Sequence, residues 1–163
     1  MKVGIFIGSD SDFPVVEEAI QLMKKFEVKF GLEVTSAHRS PERTKTLIKD
    51  YETSGVSVFI AVAGKSAHLA GVVASHTTRP VIGVPVRGSA LGGLDALLST
   101  SQMPKGIPVA CMGIGTSGAS NAALLAVQIL ALSDPDLQER LLSYRSQMAK
   151  NVEAASRKIQ DKL

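Results

Sequence analysis

Short apolar runs rich in β-branched residues alternate with longer amphipathic stretches along this chain. The runs at 3–7, 32–35, 56–62, 81–84 and 107–112 lack the apolar–polar alternation of a half-exposed sheet, which predicts buried parallel strands. Helical spacing and helix-start signals predict helices at 14–26, 41–54, 66–73, 91–98, 119–132 and 134–163. This alternation predicts an α/β fold whose parallel sheet is covered by helices on both faces.

The last two predicted helices bear on assembly. Residues 119–132 are apolar nearly all round, and such a helix must be buried on most of its sides. In a chain of 163 residues this predicts that subunits pack against one another. We expect a single domain spanning 1–163, in which the charged amphipathic helix at 134–163 takes part in oligomer packing.

The composition of the chain argues against nucleic acid and membranes as binding partners. Aromatic residues make up only 4% of the chain and Trp is absent, which argues against a base-stacking surface for nucleic acid. The net charge of +3 is mild, and Lys and Arg are scattered among acids, which indicates a solvated surface. The chain begins in a strand-like run and has no unbroken apolar stretch of membrane-spanning length. We therefore expect a cytoplasmic protein with no signal peptide and no membrane partner.

Neither cysteine nor histidine has metal-binding spacing along this sequence. Cys111 is the only cysteine and lies in an apolar run, which favours a buried structural thiol over a nucleophile. His76 lies two helical turns beyond His68, too far for both to bind one metal ion from a helix face, so we read His76 as structural or surface. We expect no metal.

Three polar turns each follow a predicted strand: GSDSD at 8–12, SAHRS at 36–40 and AGKSAHLAG at 63–71. Parallel strands point the same way, so these turns gather at one edge of the sheet, where open α/β folds bind ligands. Ser9 and Ser11 precede a helix whose free N–H groups favour a phosphate or carboxylate, although a plain strand-to-helix turn has the same pattern. The turn is neither a Walker loop nor a dinucleotide-binding glycine motif.

The turns at 36–40 and 63–71 contribute two histidines and two cationic side chains. His38 is the best candidate for proton transfer, because imidazole as a side-chain type suits general acid–base chemistry, with helix capping as the alternative. Arg39 can form two parallel hydrogen bonds to a phosphate. Gly64 permits close approach of the backbone to a ligand, and Lys65 and Ser66 offer further donors. Glycines at 92 and 93 suggest a loop able to close over a ligand.

Three classes of protein share this pattern of strands and helices. A receiver domain needs an acidic residue at the end of the third strand, where this chain has Ala63, Gly64 and Lys65. A flavodoxin-like FMN carrier remains an alternative, although such carriers usually stack the flavin on aromatic side chains. An enzyme acting on a phosphorylated small molecule agrees best with the His, Arg and Ser residues.

The motifs closely resemble the N5-carboxyaminoimidazole ribonucleotide mutase family of purine biosynthesis. The family's GSxSD, SAHR, AGxxAHL, PVIGVP, LLSxxQMPxGxPV and NAALLA motifs occur here in order, between Val3 and about Leu132. The resemblance implies a three-layer αβα sandwich with a flavodoxin-like five-stranded parallel sheet and an extra C-terminal helix. It also implies a homo-octamer, a phosphorylated ribonucleotide substrate, carbon dioxide as a trapped intermediate and no cofactor.

The resemblance assigns a role to each turn. His38 is implied to be the catalytic acid and base. Ser9, Ser11 and Arg39 are implied to hold the phosphate, and Asp12 the ribose hydroxyls. The implied substrate-binding set is Ser9, Ser11, Asp12, Ser36, Arg39, Gly64, Lys65, Ser66, Ala67, His68 and Leu69, of which residues 64–69 wall the imidazole and carbon dioxide.

One departure keeps two reactions open. Many mutases read AGGAAHLPG where this chain has Lys65, Ser66 and Ala70. A basic residue followed by Ser also resembles the related aminoimidazole ribonucleotide carboxylases, which use free carbon dioxide. Those relatives usually depart from SAHR and AHL, and this chain keeps both motifs. We therefore favour the mutase, with the carboxylase as the alternative.

Overall fold

A computed structural model describes residues 2–163 and contains a five-stranded, all-parallel sheet in the order β2–β1–β3–β4–β5. The strands are β1 (Val3–Ile7), β2 (Phe30–Val34), β3 (Val58–Gly64), β4 (Val81–Val86) and β5 (Ala110–Cys111). The helices are α1 (Phe13–Lys25), α2 (Pro41–Thr53), α3 (Leu69–Ser75), α4 (Leu94–Ser101), α5 (Thr116–Ala131) and α6 (Pro135–Gln160). The predicted α/β class with a flavodoxin-like parallel sheet is confirmed. The strand order reverses between β1 and β3, so a ligand-binding crevice is expected there.

The central strands form the core because their side chains are apolar on both faces of the sheet. Every residue of β1 and β4 is buried, as are Val58–Val62 of β3. On one face, the ring of Phe6 packs against Tyr51 and Phe59, with ring centroids 5.2 and 5.5 Å apart. Gly4 leaves room for these rings, because a Cβ there would lie 2.7 Å from the Tyr51 ring. This core fixes the strand ends from which the polar turns project.

Four strands differ in their bounds from the sequence-based expectation. β2 covers Phe30–Val34 where 32–35 was predicted, and β3 covers Val58–Gly64 where 56–62 was predicted. β4 continues through Pro85, which is tolerated because β5 pairs only with Ile82 and Gly83, so no ladder on that side needs the missing N–H. β5 covers two residues where 107–112 was predicted. The apolar run is longer than the strand because Ile107 and Val109 pack, partly buried, against the core as irregular chain.

Two helices begin later than predicted for a shared reason. Lys65 has φ of 55°, and tight turns follow it, so α3 begins at Leu69 and not at Ser66. Gly92 and Gly93 have φ of 62° and 96°, which delays the start of α4 to Leu94. Left-handed backbone interrupts a helix, and a purely apolar pattern does not reveal it.

The chain comprises a first compact unit that ends at Val127 and a second that runs from Gln128 to Leu163. Within α6, Leu137 and Leu141 are buried, whereas Met148, Val152 and Ile159 continue the same helix face and are exposed. The single domain and the role of this helix in oligomer packing remain predictions. Across residues 2–163, no helix is both long and apolar enough to cross a bilayer.

Candidate active site

A cleft of about 810 Å³ lies at the carboxyl ends of β1, β2, β3 and β4. Every site residue expected from the sequence lines it: Ser9, Ser11, Asp12, Ser36, His38, Arg39, Gly64, Lys65, Ser66, Ala67, His68 and Leu69. Sequence reasoning did not select Val15, Ala37, Val86, Arg87 and Gly88, which also line it. The three turns therefore meet in one place, as parallel strands require.

The turn after β1 presents a chain of hydroxyl groups. Gly8 continues the sheet, with its N–H donating to Val62 O at 2.9 Å. A 3-10 turn follows at Asp10–Asp12, in which Ser11 Oγ donates to Ser9 Oγ at 2.9 Å and Ser9 Oγ to Asp10 Oδ1 at 3.0 Å. The two serines are thus held side by side at the edge of the cleft, immediately before α1.

The pKa values of two carboxyl groups in this turn are shifted in opposite directions. Hydrogen bonds from Ser9 and Ser11 lower the pKa of the exposed Asp10 carboxyl. Burial raises the pKa of the Asp12 carboxyl, which lines the cleft. The sequence suggested Asp12 as a helix cap, and it occupies that position before α1 without making a side-chain capping bond. A backbone hydrogen bond from Ser9 acts in the opposite direction on this carboxyl and lowers its pKa.

The turn after β2 holds Arg39 against the end of β1. Arg39 Nη2 donates to Gly8 O at 3.3 Å, and its backbone N–H donates to Ser36 Oγ at 3.1 Å. These contacts hold the guanidinium beside Gly8, the residue before Ser9, and Ser9, Ser11 and Arg39 line the same cleft. Charge-assisted donors beside two hydroxyls and a helix start make an anion-binding arrangement.

Buried hydroxyl groups support this turn from behind. Thr35 and Thr44 are 2% and 0% exposed, and their Oγ1 atoms lie 2.7 Å apart. Ser40 Oγ accepts from Ser36 N–H at 3.0 Å and donates to Ser36 O at 3.2 Å. Thr44 Oγ1 also donates to Ser40 O at 3.2 Å. The loop that carries His38 and Arg39 is therefore tied to α2 by hydrogen bonds that the sequence alone did not indicate.

His38 and His68 form an imidazole pair across the cleft. His38 Nε2 lies 2.8 Å from His68 Nδ1, and the rings meet edge to face with centroids 4.9 Å apart. One nitrogen must donate while the other accepts, so both rings cannot be doubly protonated while the bond exists. The pair can therefore hold and exchange a proton, which is what general acid–base chemistry requires.

The turn after β3 combines a close backbone approach with an apolar wall. A Cβ on Gly64 would lie 3.3 Å from Val86 O, so the two strand ends approach tightly there. Lys65 is exposed and its backbone is left-handed, whereas Ala67 and Leu69 are buried at 3% and 2% exposure. Ala67 and Leu69 therefore give this part of the cleft an apolar wall.

Residues that sequence analysis set aside lie elsewhere. His76 is exposed, follows α3 and does not line the cleft. Cys111 is half-buried, and burial raises the pKa of its thiol, which suits a structural thiol. Within residues 2–163, no group of three or more His, Cys, Asp or Glu side chains is arranged to hold a metal ion.

The strand order and the contents of the cleft define a flavodoxin-like α/β protein whose cleft brings serine hydroxyls, an arginine and an imidazole pair together. The sequence model of the family described as AIR carboxylase matches residues 2–151, and this chain belongs to that family. The family resemblance predicted from the motifs is thereby confirmed.

Individual relatives agree with this placement. The N5-carboxyaminoimidazole ribonucleotide mutase of Pyrococcus abyssi is 53% identical over 147 residues, which cover 90% of this chain and 83% of the relative. The protein of the same name from Methanocaldococcus jannaschii is 50% identical, and the match covers 96% of both chains. The crystal structure of Treponema denticola PurE superposes with a TM-score of 0.87 at 29% identity, covering 96% of each chain.

Proposed function

We propose that this chain is an N5-carboxyaminoimidazole ribonucleotide mutase of de novo purine (IMP) biosynthesis. Such an enzyme moves a carboxylate from the exocyclic nitrogen to C4 of the imidazole. Family membership and relatives of that name at about half identity support the assignment. The observation that carries it is the imidazole pair of His38 and His68, 2.8 Å apart, in the same cleft as the serine and arginine anion site.

The substrate binds in the cleft in a single orientation. The phosphate binds at Ser9, Ser11 and Arg39, where hydroxyls and a guanidinium converge beside the start of α1. Asp12, the next cleft residue along the chain, accepts hydrogen bonds from ribose hydroxyls. The imidazole ring then lies against residues 64–69, next to His38.

The chemistry needs one proton and returns it. His38 protonates the exocyclic nitrogen of the carbamate, the N–C bond breaks, and carbon dioxide leaves with aminoimidazole ribonucleotide remaining. The enamine-like C4 attacks carbon dioxide and forms the new C–C bond. His38, now a base, removes the C4 proton, so the imidazole ends in its starting state. No electrons are gained or lost, and the scheme uses no cofactor, ATP or metal.

Two neighbouring groups assist this cycle. His68, by hydrogen bonding to His38, fixes which nitrogen of that ring carries the proton between the two steps. Ala67 and Leu69 form an apolar wall that retains carbon dioxide and excludes water. Carbon dioxide is neutral and small, so it is held by exclusion more than by polar contacts.

The alternative reaction is carboxylation of aminoimidazole ribonucleotide with free carbon dioxide. Lys65 and Ser66 favour it, because an exposed cation and a hydroxyl line the cleft beside the proposed imidazole site. The deciding assay supplies purified protein with the carbamate nucleotide in bicarbonate-free buffer, with His38→Asn as the inactive control. The mutase forms C4-carboxylated product under these conditions. Product formed only from aminoimidazole ribonucleotide plus bicarbonate would establish the carboxylase.

Assembly as a homo-octamer and a cytoplasmic location belong to the same proposal. Support for assembly comes from α6, whose face at Met148, Val152 and Ile159 is apolar and exposed. Leu91, Leu94 and Leu98 add an exposed apolar strip around α4. Light scattering at several protein concentrations measures the mass, and a monomer at every concentration would contradict the octamer.

A further inference from the structure

We propose that Arg87 binds the migrating carboxylate of the substrate, an inference that rests on the function proposed above. Arg87 directly follows β4 and lines the cleft, and it is not part of any motif used above. In this role Arg87 distinguishes nucleotides that bear a carboxylate on the exocyclic nitrogen or on C4 from the uncarboxylated nucleotide.

The sheet register places Arg87 beside the imidazole wall. Gly64 pairs with Val86 in the parallel ladder between β3 and β4, so the residues that follow them, Lys65 and Arg87, leave the sheet together. Val86 is buried and anchors the chain, whereas Arg87 is exposed. Arg87 therefore lines the part of the cleft that adjoins residues 64–69.

The charged side chains that line the cleft differ in whether they already bind other protein atoms. Its charged lining residues are Arg39, Lys65, Arg87 and the single carboxylate Asp12. Arg39 is already committed to Gly8 O and Ser36 Oγ on the β1 and β2 side. Within residues 2–163, the side chains of Lys65 and Arg87 make no hydrogen bond or ion pair, in contrast to Arg43, which pairs with Glu33. Two cations thus remain for a second anion.

The substrate carries such an anion at the end away from its phosphate. Guanidinium matches a carboxylate with two parallel N–H···O bonds, which a lysine ammonium cannot do. During the cycle the carboxylate becomes neutral carbon dioxide and then a carboxylate on C4, so this contact is lost and made again. Because both carboxylated nucleotides gain from it, Arg87 contributes to ligand affinity more than to the rate of the chemical steps.

Calorimetric binding of two nucleotides tests the inference. 4-Carboxyaminoimidazole ribonucleotide bears the carboxylate, and aminoimidazole ribonucleotide lacks it. We expect Arg87→Gln to weaken binding of the first about tenfold or more, and of the second by less than about twofold, since a hydrogen bond to a charged group is at stake. Arg87→Lys should recover part of the loss, because the charge remains without the two-pronged geometry.

The matched control is Arg79→Gln, which removes an exposed arginine that precedes β4 and does not line the cleft. It should leave both affinities unchanged. Equal weakening of both nucleotides by Arg87→Gln, or no weakening of either, would overturn the role of Arg87. If wild-type protein binds neither nucleotide, the proposed function itself fails, and that result is distinct from a failure of Arg87 alone.

Discussion

The two ends of the cleft are built differently. At the proposed phosphate end, Ser9, Ser11 and Arg39 are already hydrogen-bonded to protein atoms at 2.9 to 3.3 Å. At the proposed carboxylate end, Lys65 and Arg87 line the cleft, and within residues 2–163 their side chains make no hydrogen bond or ion pair. Protein contacts hold the side chains at the first end and not at the second.

This difference corresponds to what each end must do in the proposed reaction. The phosphate is not altered, so a rigid site can hold it throughout the cycle and pay little conformational entropy on binding. The carboxylate leaves one atom and joins another, so its partners must accommodate two positions. In the proposed reaction His38 performs the proton transfers, and His68, which lies 2.8 Å from it, fixes which ring nitrogen carries the proton.

The largest expected effect comes from removing the proton carrier of the proposed reaction. His38→Asn should lower kcat by about 10²–10⁴-fold, the usual contribution of a general acid–base group, while nucleotide affinity stays near that of wild type. Steady-state kinetics and calorimetry measure the two quantities. His76→Asn is the control, because His76 is exposed and outside the cleft. Near-normal turnover in His38→Asn would remove this residue from the mechanism.

The second largest effect is expected on nucleotide affinity, and it distinguishes the proposed phosphate end of the cleft from the proposed carboxylate end. Arg39→Ala should weaken binding of carboxylated and uncarboxylated nucleotides alike, by about tenfold or more, because both ligands carry the phosphate. This uniform loss is the opposite of the selective loss expected for Arg87→Gln. Calorimetry with the same two nucleotides measures it. Unchanged affinities would show that Arg39 does not hold the phosphate.

Some residues of the cleft could be predicted from the sequence, and others could not. Uninterrupted apolar runs identify buried strands, and the residues at their ends follow directly, so the turns at Ser9, His38 and Gly64 were found. Arg87 was missed because Pro85 made β4 look two residues shorter than it is. The pairing of Thr35 with Thr44 was missed because it depends on where α2 packs, which local pattern does not encode.

A smaller effect concerns how the proposed phosphate end of the cleft is supported. Thr44→Val keeps the side-chain shape but removes the hydroxyl that meets Thr35 Oγ1 at 2.7 Å. Loss of a buried hydrogen bond should lower the free energy of unfolding by about 1–3 kcal/mol, measured by urea denaturation. Thr44→Ser should restore most of it.

Thr53→Val is the matched control for this prediction. Thr53 lies on the same helix and donates to the carbonyl four residues earlier, as Thr44 does, but it is exposed. Its substitution should change stability by less than about 0.5 kcal/mol. Equal losses for Thr44→Val and Thr53→Val would mean that the pairing with Thr35 contributes nothing beyond the helix bond.

The smallest effect is a pH dependence of opposite sign at two carboxyl groups of one turn. Burial raises the pKa of Asp12, so its contribution to stability is fully present below the unfolded value of 3.8 and is lost as pH rises through the folded pKa. Hydrogen bonds from Ser9 and Ser11 lower the pKa of Asp10, so its contribution is present above 3.8 and is lost as pH falls through the folded pKa.

Asp12→Asn and Asp10→Asn therefore serve as controls for each other in urea denaturation between pH 3 and pH 7. Relative to wild type, Asp12→Asn should gain stability as pH rises across this window, because the variant has no charge to desolvate. Asp10→Asn should lose stability over the same window, because an amide accepts the Ser9 and Ser11 hydrogen bonds less strongly than a carboxylate. If the two variants have parallel pH profiles, both the raised pKa of Asp12 and the lowered pKa of Asp10 are contradicted. Asp12 would then be solvated, which would weaken the proposal that it binds the ribose hydroxyls.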